Sequence, residues 1–119
     1  MTSLPLHAVA HARAGDKGNR LNVSVIAYHP LLWPAVLQQV TAGRVHALFS
    51  HRGATGVVRY ELPNVHALNF VIDGVLEGGV NSALNLDGHG KTSSFRLLSL
   101  PIDIDDDLAA RLPALRSEP

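Results

Sequence analysis

The sequence contains no cysteine. Disulfide bonds, thiolate nucleophiles and thiolate metal ligands are therefore excluded, and the composition is typical of a protein from a reducing compartment. The first residues also lack the basic start and the long apolar stretch of a secretory signal, so the sequence predicts no signal peptide. From these absences we expect a cytoplasmic protein.

Aromatic residues are few, and neither sign of charge is in excess. Three Phe, two Tyr and one Trp occur among 119 residues, and ten Lys and Arg offset ten Asp and Glu. A chain with this composition offers neither the basic surface nor the stacking surface that nucleic-acid binding requires. No apolar run approaches the roughly 20 residues of a membrane-spanning helix. We therefore expect neither a nucleic acid nor a membrane as a partner.

Apolar residues, in contrast, are abundant. Hydrophobic residues make up 46% of the chain and charged residues 17%, as in a folded globular domain. The length is that of a single domain with a single core. We place this domain at residues 1–102. Four aspartates and a short apolar and basic stretch follow at 103–119, where we expect an acidic C-terminal tail or a short helix.

Hydrophobic periodicity predicts a mixture of strands and helices. Residues 21–28 alternate between apolar and polar positions, as in a strand with one buried face. In residues 30–49 apolar side chains recur at steps of three and four, which predicts a helix interrupted near Gly43. Further segments follow by the same criteria: strands at 6–12, 57–62, 80–86 and 91–104, a hairpin turn at 87–90, and a second helix at 65–77.

This order of elements predicts an α+β two-layer sandwich. Two helices would cover one face of a mainly antiparallel sheet of four to five strands. The outer strands of so small a sheet have open edges, which favours a homo-oligomer.

The densest polar cluster follows the first predicted strand, at residues 13–19. Gly15 and Gly18 would let the backbone direct N–H groups toward an anion. Arg13 can hold a carboxylate or phosphate with two parallel hydrogen bonds, and Lys17 adds positive charge. The same residues also suit a solvated surface turn, since Gly, Asp and Asn are the usual turn residues.

A second polar cluster extends from Arg59 to Asn69. Arg59 and Glu61 share one face of a predicted strand, where they can form a surface ion pair. Asn64 suits the N-cap of the second predicted helix. Asn69 lies in an otherwise apolar stretch, so its amide either links helix to sheet or points into a pocket. His66 is the candidate acid or base of this cluster.

The seven histidines do not form a metal-binding motif. His7 and His11 are four positions apart, which on a strand separates them by about 13 Å, too far to share one ion. No HExxH motif or GxGxxG fingerprint is present. We expect no metal and no cofactor.

Several short motifs occur in an order that resembles a known family. They are Arg13–Gly18 (RAGDKG), Val58–Asn64 (VRYELPN), Ala67–Phe70 (ALNF), Gly78–Val80 (GGV) and Leu86–Asp87 (LD). This series is similar to the small ferredoxin-like domain of AtuA-like proteins, named for acyclic terpene utilisation. The resemblance implies a ferredoxin-like fold. It also implies a role in the catabolism of acyclic terpenes or other branched acids through CoA thioesters.

Two features of the chain depart from this resemblance. In AtuA-like proteins the small domain follows a larger domain or occurs as a separate protein beside one, and no large domain is present in these 119 residues. A large AtuA-like subunit is therefore the expected partner. The family usually has a serine before the Gly-Asp-Lys-Gly run, where this chain has Ala14.

Three functions follow from the clusters and the resemblance. The chain is a small subunit that offers an anionic or acyl-CoA ligand its anion-binding loop, or an independent hydratase, isomerase or lyase, or a non-catalytic oligomeric binding protein. In the enzyme, Asp16 or His66 would be the acid or base and Lys17 the electrophile. The candidate substrate-binding residues are Arg13, Gly15, Gly18, Asn19, Arg59, Asn64 and Asn69.

Overall fold

The computed structural model of the chain describes residues 1–17, 20–50, 55–74 and 96–117. Its strands are β1 (Thr2–Pro5), β2 (Ala10–Lys17), β3 (Arg20–Ala27), β4 (Gly56–Leu62), β5 (Ala67–Asp73) and β6 (Pro101–Ile104). Its main α-helices are α1 (Trp33–Gln39), α2 (Ala42–Phe49), α3 (Asp106–Ala110) and α4 (Leu112–Ser117). Residues 96–98 are also helical.

Four strands form an antiparallel sheet in the order β2-β3-β5-β4. Residues directly opposite one another in neighbouring strands define transverse rows, and one such row is Arg13, Ser24, Asn69 and Tyr60. Strands β1 and β6 pair separately as a two-stranded antiparallel sheet, with Thr2 opposite Ile104.

The strand alternation places one face of the larger sheet in the core. In β3, Leu21, Val23 and Val25 are fully buried, whereas the residues between them are exposed or half-buried. Strand β5 repeats the pattern with Leu68, Phe70 and Ile72. Buried residues of α1 and α2 join the same hydrophobic cluster. Two helices therefore lie against one face of the sheet, which confirms the predicted α+β architecture.

The break between the two helices lies before Gly43. Residue Val40 ends α1 with a non-helical backbone, and the Thr41 hydroxyl then caps α2 by accepting a hydrogen bond from the Arg44 amide at 3.2 Å. A threonine at this position stabilises the new helix start. Gly43 lies inside α2, so the predicted interruption of 30–49 is correct but displaced.

The helix predicted at 65–77 is wrong. Its described part contains β5, the sheet strand between β3 and β4. A strand with apolar residues on both faces lacks clean alternation, so its spacing also fits a helix. Phe70, Val71 and Ile72 are of residue types that favour strands. Pairing with β3 and β4 therefore selects the strand over the helix.

The boundaries at both ends also differ from the predictions. Residues 6–8 form a 3-10 turn in place of the start of a strand, and β2 continues through most of the predicted loop 13–19. Of the strand predicted at 91–104, β6 is a strand, whereas residues 96–98 are helical and residues 99–100 form a turn. Residues 91–95 lie outside the described residues. The strand at 80–86 and the turn at 87–90 also lie outside them.

The segment after residue 102 contributes to the core. Ile104, Leu112 and Leu115 are nearly or fully buried. The side-chain amide of Gln39 donates to the Asp103 carbonyl and accepts from its amide, both at 2.7 Å. These two hydrogen bonds link α1 to β6. Asp103 lies beyond residue 102, where we placed the end of the domain.

Candidate functional site

The outer face of the four-stranded sheet, opposite the helices, is left open by the described residues. Because β3 alternates, Asn22, Ser24 and Ile26 lie on this face, away from the buried residues. The strand register adds Arg13 from β2 and Tyr60 from β4 to the row of Ser24. Within the described residues, the face forms an open groove of about 670 Å³.

The groove has a polar half and an apolar half. Arg13, Asn22 and Ser24 line it over β2 and β3, and Val58, Tyr60 and Val71 line it over β4 and β5. Neighbouring strands are about 4.8 Å apart, so the β2 and β4 backbones are separated by roughly 14 Å. The two halves can therefore contact opposite ends of one small amphipathic molecule.

An ion pair closes one end of the groove. The Arg20 guanidinium donates from Nε to the Asp73 carboxylate at 2.7 Å, and both residues line the groove. This hydrogen bond, and then the attraction between the two charges, raise the pKa of Arg20. The charge of Arg20 is balanced by its neighbour, which leaves little attraction for a ligand.

Arg13 has no such partner in the part of the chain that the structure describes. Its side chain is exposed and forms no hydrogen bond or ion pair with any described residue. Among the described side chains of the groove, Arg13 is thus the cation available to an anion. Anion binding by Arg13 stays a prediction.

A small hydrogen-bond network lies beside Arg13. The Asn69 side-chain amide donates to Asn22 Oδ1 at 2.6 Å and to Ser24 Oγ at 2.8 Å. Asn69 therefore fixes the side chains of its neighbouring strand. The amide hydrogens of Asn22 and the hydroxyl hydrogen of Ser24 can still donate to a bound molecule. Asn69 was predicted to link helix to sheet or to point into a pocket, and its side chain instead links β5 to β3.

Arg59 lies on the opposite face of the sheet and has a structural role. Its Nη1 donates to the carbonyls of Leu37 and Val40 at 2.7 and 2.9 Å, and its Nη2 pairs with Glu61 at 2.9 Å. The carbonyls at a helix C-terminus lack partners within the helix, and a cation there is favourable. Arg59 thus caps α1, and the predicted role in ligand binding does not fit its contacts.

Asn64 and His66 lie in the turn between β4 and β5. Asn64 is exposed within the 3-10 turn Pro63–Val65 and begins no α-helix, contrary to the predicted N-cap. His66 adopts the left-handed conformation (φ 53°), and its carbonyl accepts a hydrogen bond from the Ala27 amide at 3.0 Å. Its ring packs edge-on against Trp33, with the ring centres 6.1 Å apart.

The register places the turns of the two predicted clusters, the β2–β3 connection and the β4–β5 turn, at opposite ends of the sheet. The β2–β3 connection follows Lys17, in the row of Arg20 and Asp73, whereas the β4–β5 turn precedes Ala67, in the row of Ile26. Six residues of strand, about 20 Å, separate these rows. The structure therefore does not bring the two turns to one rim, although Arg13 and Asn69 share the row of Ser24.

The remaining predicted residues belong to the β2–β3 hairpin. Gly15 is part of β2, opposite Asn22, with open space where a Cβ would be. It forms ladder backbone and not an anion-binding turn. The backbones of Asp16 and Lys17 pair with Leu21 and Arg20. Gly18 and Asn19 lie outside the described residues.

Sequence reasoning did not identify Val58 and Tyr60 as site residues. The alternation in 57–62 places them on one face, but only the sheet order places that face beside Arg13. Asn22 and Ser24 did have a signal, because they form the polar side of an alternating strand.

Metal-binding geometry is absent from the described part of the chain, where no three His, Asp or Glu side chains come close enough to hold an ion. His7 lies in the 3-10 turn Leu6–Ala8 and His11 in β2. None of the helices in the described ranges is both long and apolar enough to cross a membrane.

The described residues define a small α+β sandwich with an open groove on the outer face of its sheet. A family model for the AtuA ferredoxin-like domain matches residues 4–103, and the chain belongs to this family. The resemblance noted from the sequence motifs is thereby confirmed, and so is the ferredoxin-like fold. No curated protein and no solved structure matches the chain.

Proposed function

We propose that this chain is a small ligand-binding subunit that acts with a larger AtuA-like partner on acyclic terpene acids or other branched carboxylic acids. The observation that supports binding most directly is that Arg13, which pairs with no described residue, lies at the polar side of a groove whose other side is apolar. Membership of the AtuA ferredoxin-like family supports the metabolic setting.

The groove favours a monocarboxylic acid with an apolar tail. The Arg13 guanidinium matches a carboxylate with two parallel hydrogen bonds, and the donors of Asn22 and Ser24 lie on the next strand. The tail would then cross toward Val58 and Val71, where burial of hydrocarbon contributes about 25 cal/mol per Å². Since Arg20 is paired with Asp73, the described side chains balance one negative charge. The several phosphate charges of a CoA ester would exceed this.

The openness of the groove supports the need for a partner. Small-molecule sites usually bury roughly 70–90% of the surface of a ligand. A groove on a sheet surface, in contrast, leaves one side of its ligand in water. A larger subunit placed over the outer face would cover that side. On this proposal the small subunit supplies Arg13 and the apolar floor, and the large subunit supplies the cover and the reacting groups.

Thermal unfolding of the full chain tests the binding half of the proposal. The added compounds are branched and straight-chain monocarboxylic acids, their CoA thioesters and inorganic phosphate. A ligand at 100 times its dissociation constant adds about 2.7 kcal/mol to the free energy of unfolding, which raises Tm by several degrees. We expect branched acids to produce this shift and phosphate to leave Tm unchanged. An equal shift with phosphate, or no shift with any acid, would refute the proposed ligand class.

Co-expression with the large AtuA-like protein of the same host tests the partner half. We expect the two chains to co-purify in a fixed ratio. We also expect turnover of the acid or its thioester only when both are present. Full activity of either chain alone would contradict the two-subunit proposal.

A further inference from the structure

Exposed apolar side chains are concentrated on strand β4 and the turn after it. In the described part of the chain six large hydrophobic residues are exposed, and four lie here: Val58 (47%), Tyr60 (53%), Leu62 (42%) and Val65 (60%). Strand β4 is also the last strand of the described sheet, so no described strand pairs with its free side. A long apolar edge strand is a template for pairing with another strand.

We infer that β4 pairs antiparallel with β4 of a second copy of this chain, about a two-fold axis through Tyr60. This inference concerns assembly and does not depend on the proposed ligand. In this register Tyr60 faces the partner's Tyr60, and Val58 faces the partner's Leu62. Aromatic and aliphatic cross-strand pairs of this kind stabilise a sheet.

Charge complementarity supports a second copy as the occupant. Arg59 and Glu61 flank Tyr60 at equal distances along β4 and form an ion pair with each other at 2.9 Å. Two-fold pairing about Tyr60 places each Arg59 opposite the partner's Glu61. The strand is therefore complementary to itself in both its apolar and its charged positions, as an isologous interface requires.

The neighbouring registers are unfavourable. Centring the axis on Arg59 would place two guanidinium groups opposite each other, and centring it on Glu61 would do the same with two carboxylates. Like charges directly opposite in a sheet are destabilising. If the axis lay between two residues of β4, Tyr60 would lie opposite a residue whose side chain belongs to the other face of the sheet. The apolar surfaces of the two copies would then lie on different sides. The sequence of β4 thus selects one register.

The dimer would extend the groove. Pairing through β4 leaves the outer faces of both sheets on one side, continuous across the axis. Val58 lines the groove of each protomer, and the partner's Leu62 would lie next to it. The second copy would therefore add an apolar wall to the site.

Analytical ultracentrifugation of the full chain tests the interface. We expect the wild type to dimerise in a concentration-dependent manner. Val58→Lys and Leu62→Glu, each alone, place a charge against an apolar side chain of the partner. Each should raise the dimer dissociation constant at least about tenfold. The double variant V58K/L62E pairs the two new opposite charges across the axis and should restore dimerisation.

Controls separate this interface from loss of folding and from other contacts. Val65→Lys adds the same charge at an exposed apolar residue beyond the end of β4 and should leave the dimer unchanged. Circular dichroism should show that every variant is folded. A monomeric wild type at the highest attainable concentration would overturn the inference. So would a dimer that both single variants leave intact, or a double variant that dissociates as the single variants do.

Discussion

Arg13 and Arg59 lie on opposite faces of the four-stranded sheet. Arg13 belongs to the row of Tyr60 and lines the groove, whereas Arg59, next to Tyr60 in the chain, extends to the carbonyls at the end of α1. The two arginines thus have separable roles in ligand binding and in stability, which substitutions can measure.

Replacement of Arg13 should affect binding and not folding. Arg13→Gln removes the charge and the two parallel donors, so we expect the dissociation constant of a branched monocarboxylic acid to rise about 10- to 100-fold, the equivalent of roughly 1.5–3 kcal/mol. Arg13→Lys should recover part of this loss, because it keeps a point charge without the planar fork. Titration calorimetry measures the constants, and urea unfolding should show stabilities within about 0.5 kcal/mol of wild type. Unchanged affinity in Arg13→Gln would refute the role.

Replacement of Arg59 should affect stability. Its side chain is only 19% exposed, and Arg59→Met leaves the carbonyls of Leu37 and Val40 without their donor. We expect the free energy of unfolding to fall by about 1–3 kcal/mol, the cost of unpaired, partly buried polar groups. Glu61→Gln is the matched control. It removes only the half-exposed partner and should cost about 0–1 kcal/mol. Equal losses from both variants would show that the cap does not act as described.

Neighbouring residues of β5 should respond very differently to truncation. Phe70→Ala removes a fully buried ring and should cost about 3–5 kcal/mol. Val71→Ala, at a half-buried position on the groove face, should cost roughly 1 kcal/mol. Urea unfolding of both variants measures this contrast. Similar losses at both positions would contradict the alternation of a strand with one buried face.

The pH dependence of stability should include a contribution from Asp106. The Thr2 hydroxyl donates to its carboxylate at 2.7 Å, and this bond is the largest cause that lowers the pKa of Asp106 below its ordinary 3.8. A carboxyl group whose pKa is lower in the folded state stabilises the protein above the unfolded-state pKa. The stabilisation is lost as the pH falls through the folded-state value. Thr2→Val should therefore lower Tm at neutral pH, and the difference from wild type should shrink in acid below pH 3.8. A difference that stays constant throughout would rule out this linkage.

The sequence predicted those parts of the fold whose signal is local. Residues 21–28 alternate because one face is buried, and the helical spacing of 30–49 reflects the stripe that covers that face. The failure at 65–77 has the opposite cause. In β5 the outer-face residue Val71 is apolar like its buried neighbours Phe70 and Ile72, so the sequence does not alternate there and its period is obscured.

The candidate site was predictable only in part. Arg13 was noticed because its guanidinium can bind an anion, and Asn69 because an amide in an apolar stretch needs hydrogen-bond partners. That Arg13 shares a face with Tyr60, and that Arg59 does not, depends on strand order and register, which long-range packing determines. Spacing along the chain grouped Arg13 with Asn64, but Asn64 lies in the turn beyond the row of Ile26 and does not line the groove.

The pairing of β1 with β6 has a consequence for the order of folding. Thr2 and Ile104 are about one hundred residues apart in the chain, yet they lie opposite each other. Bringing such distant segments together costs more entropy than closing the hairpin of β2 and β3. We expect the two-stranded sheet to form last during refolding and to open first in the native protein, so that its amides exchange with deuterium before those of β3 and β5.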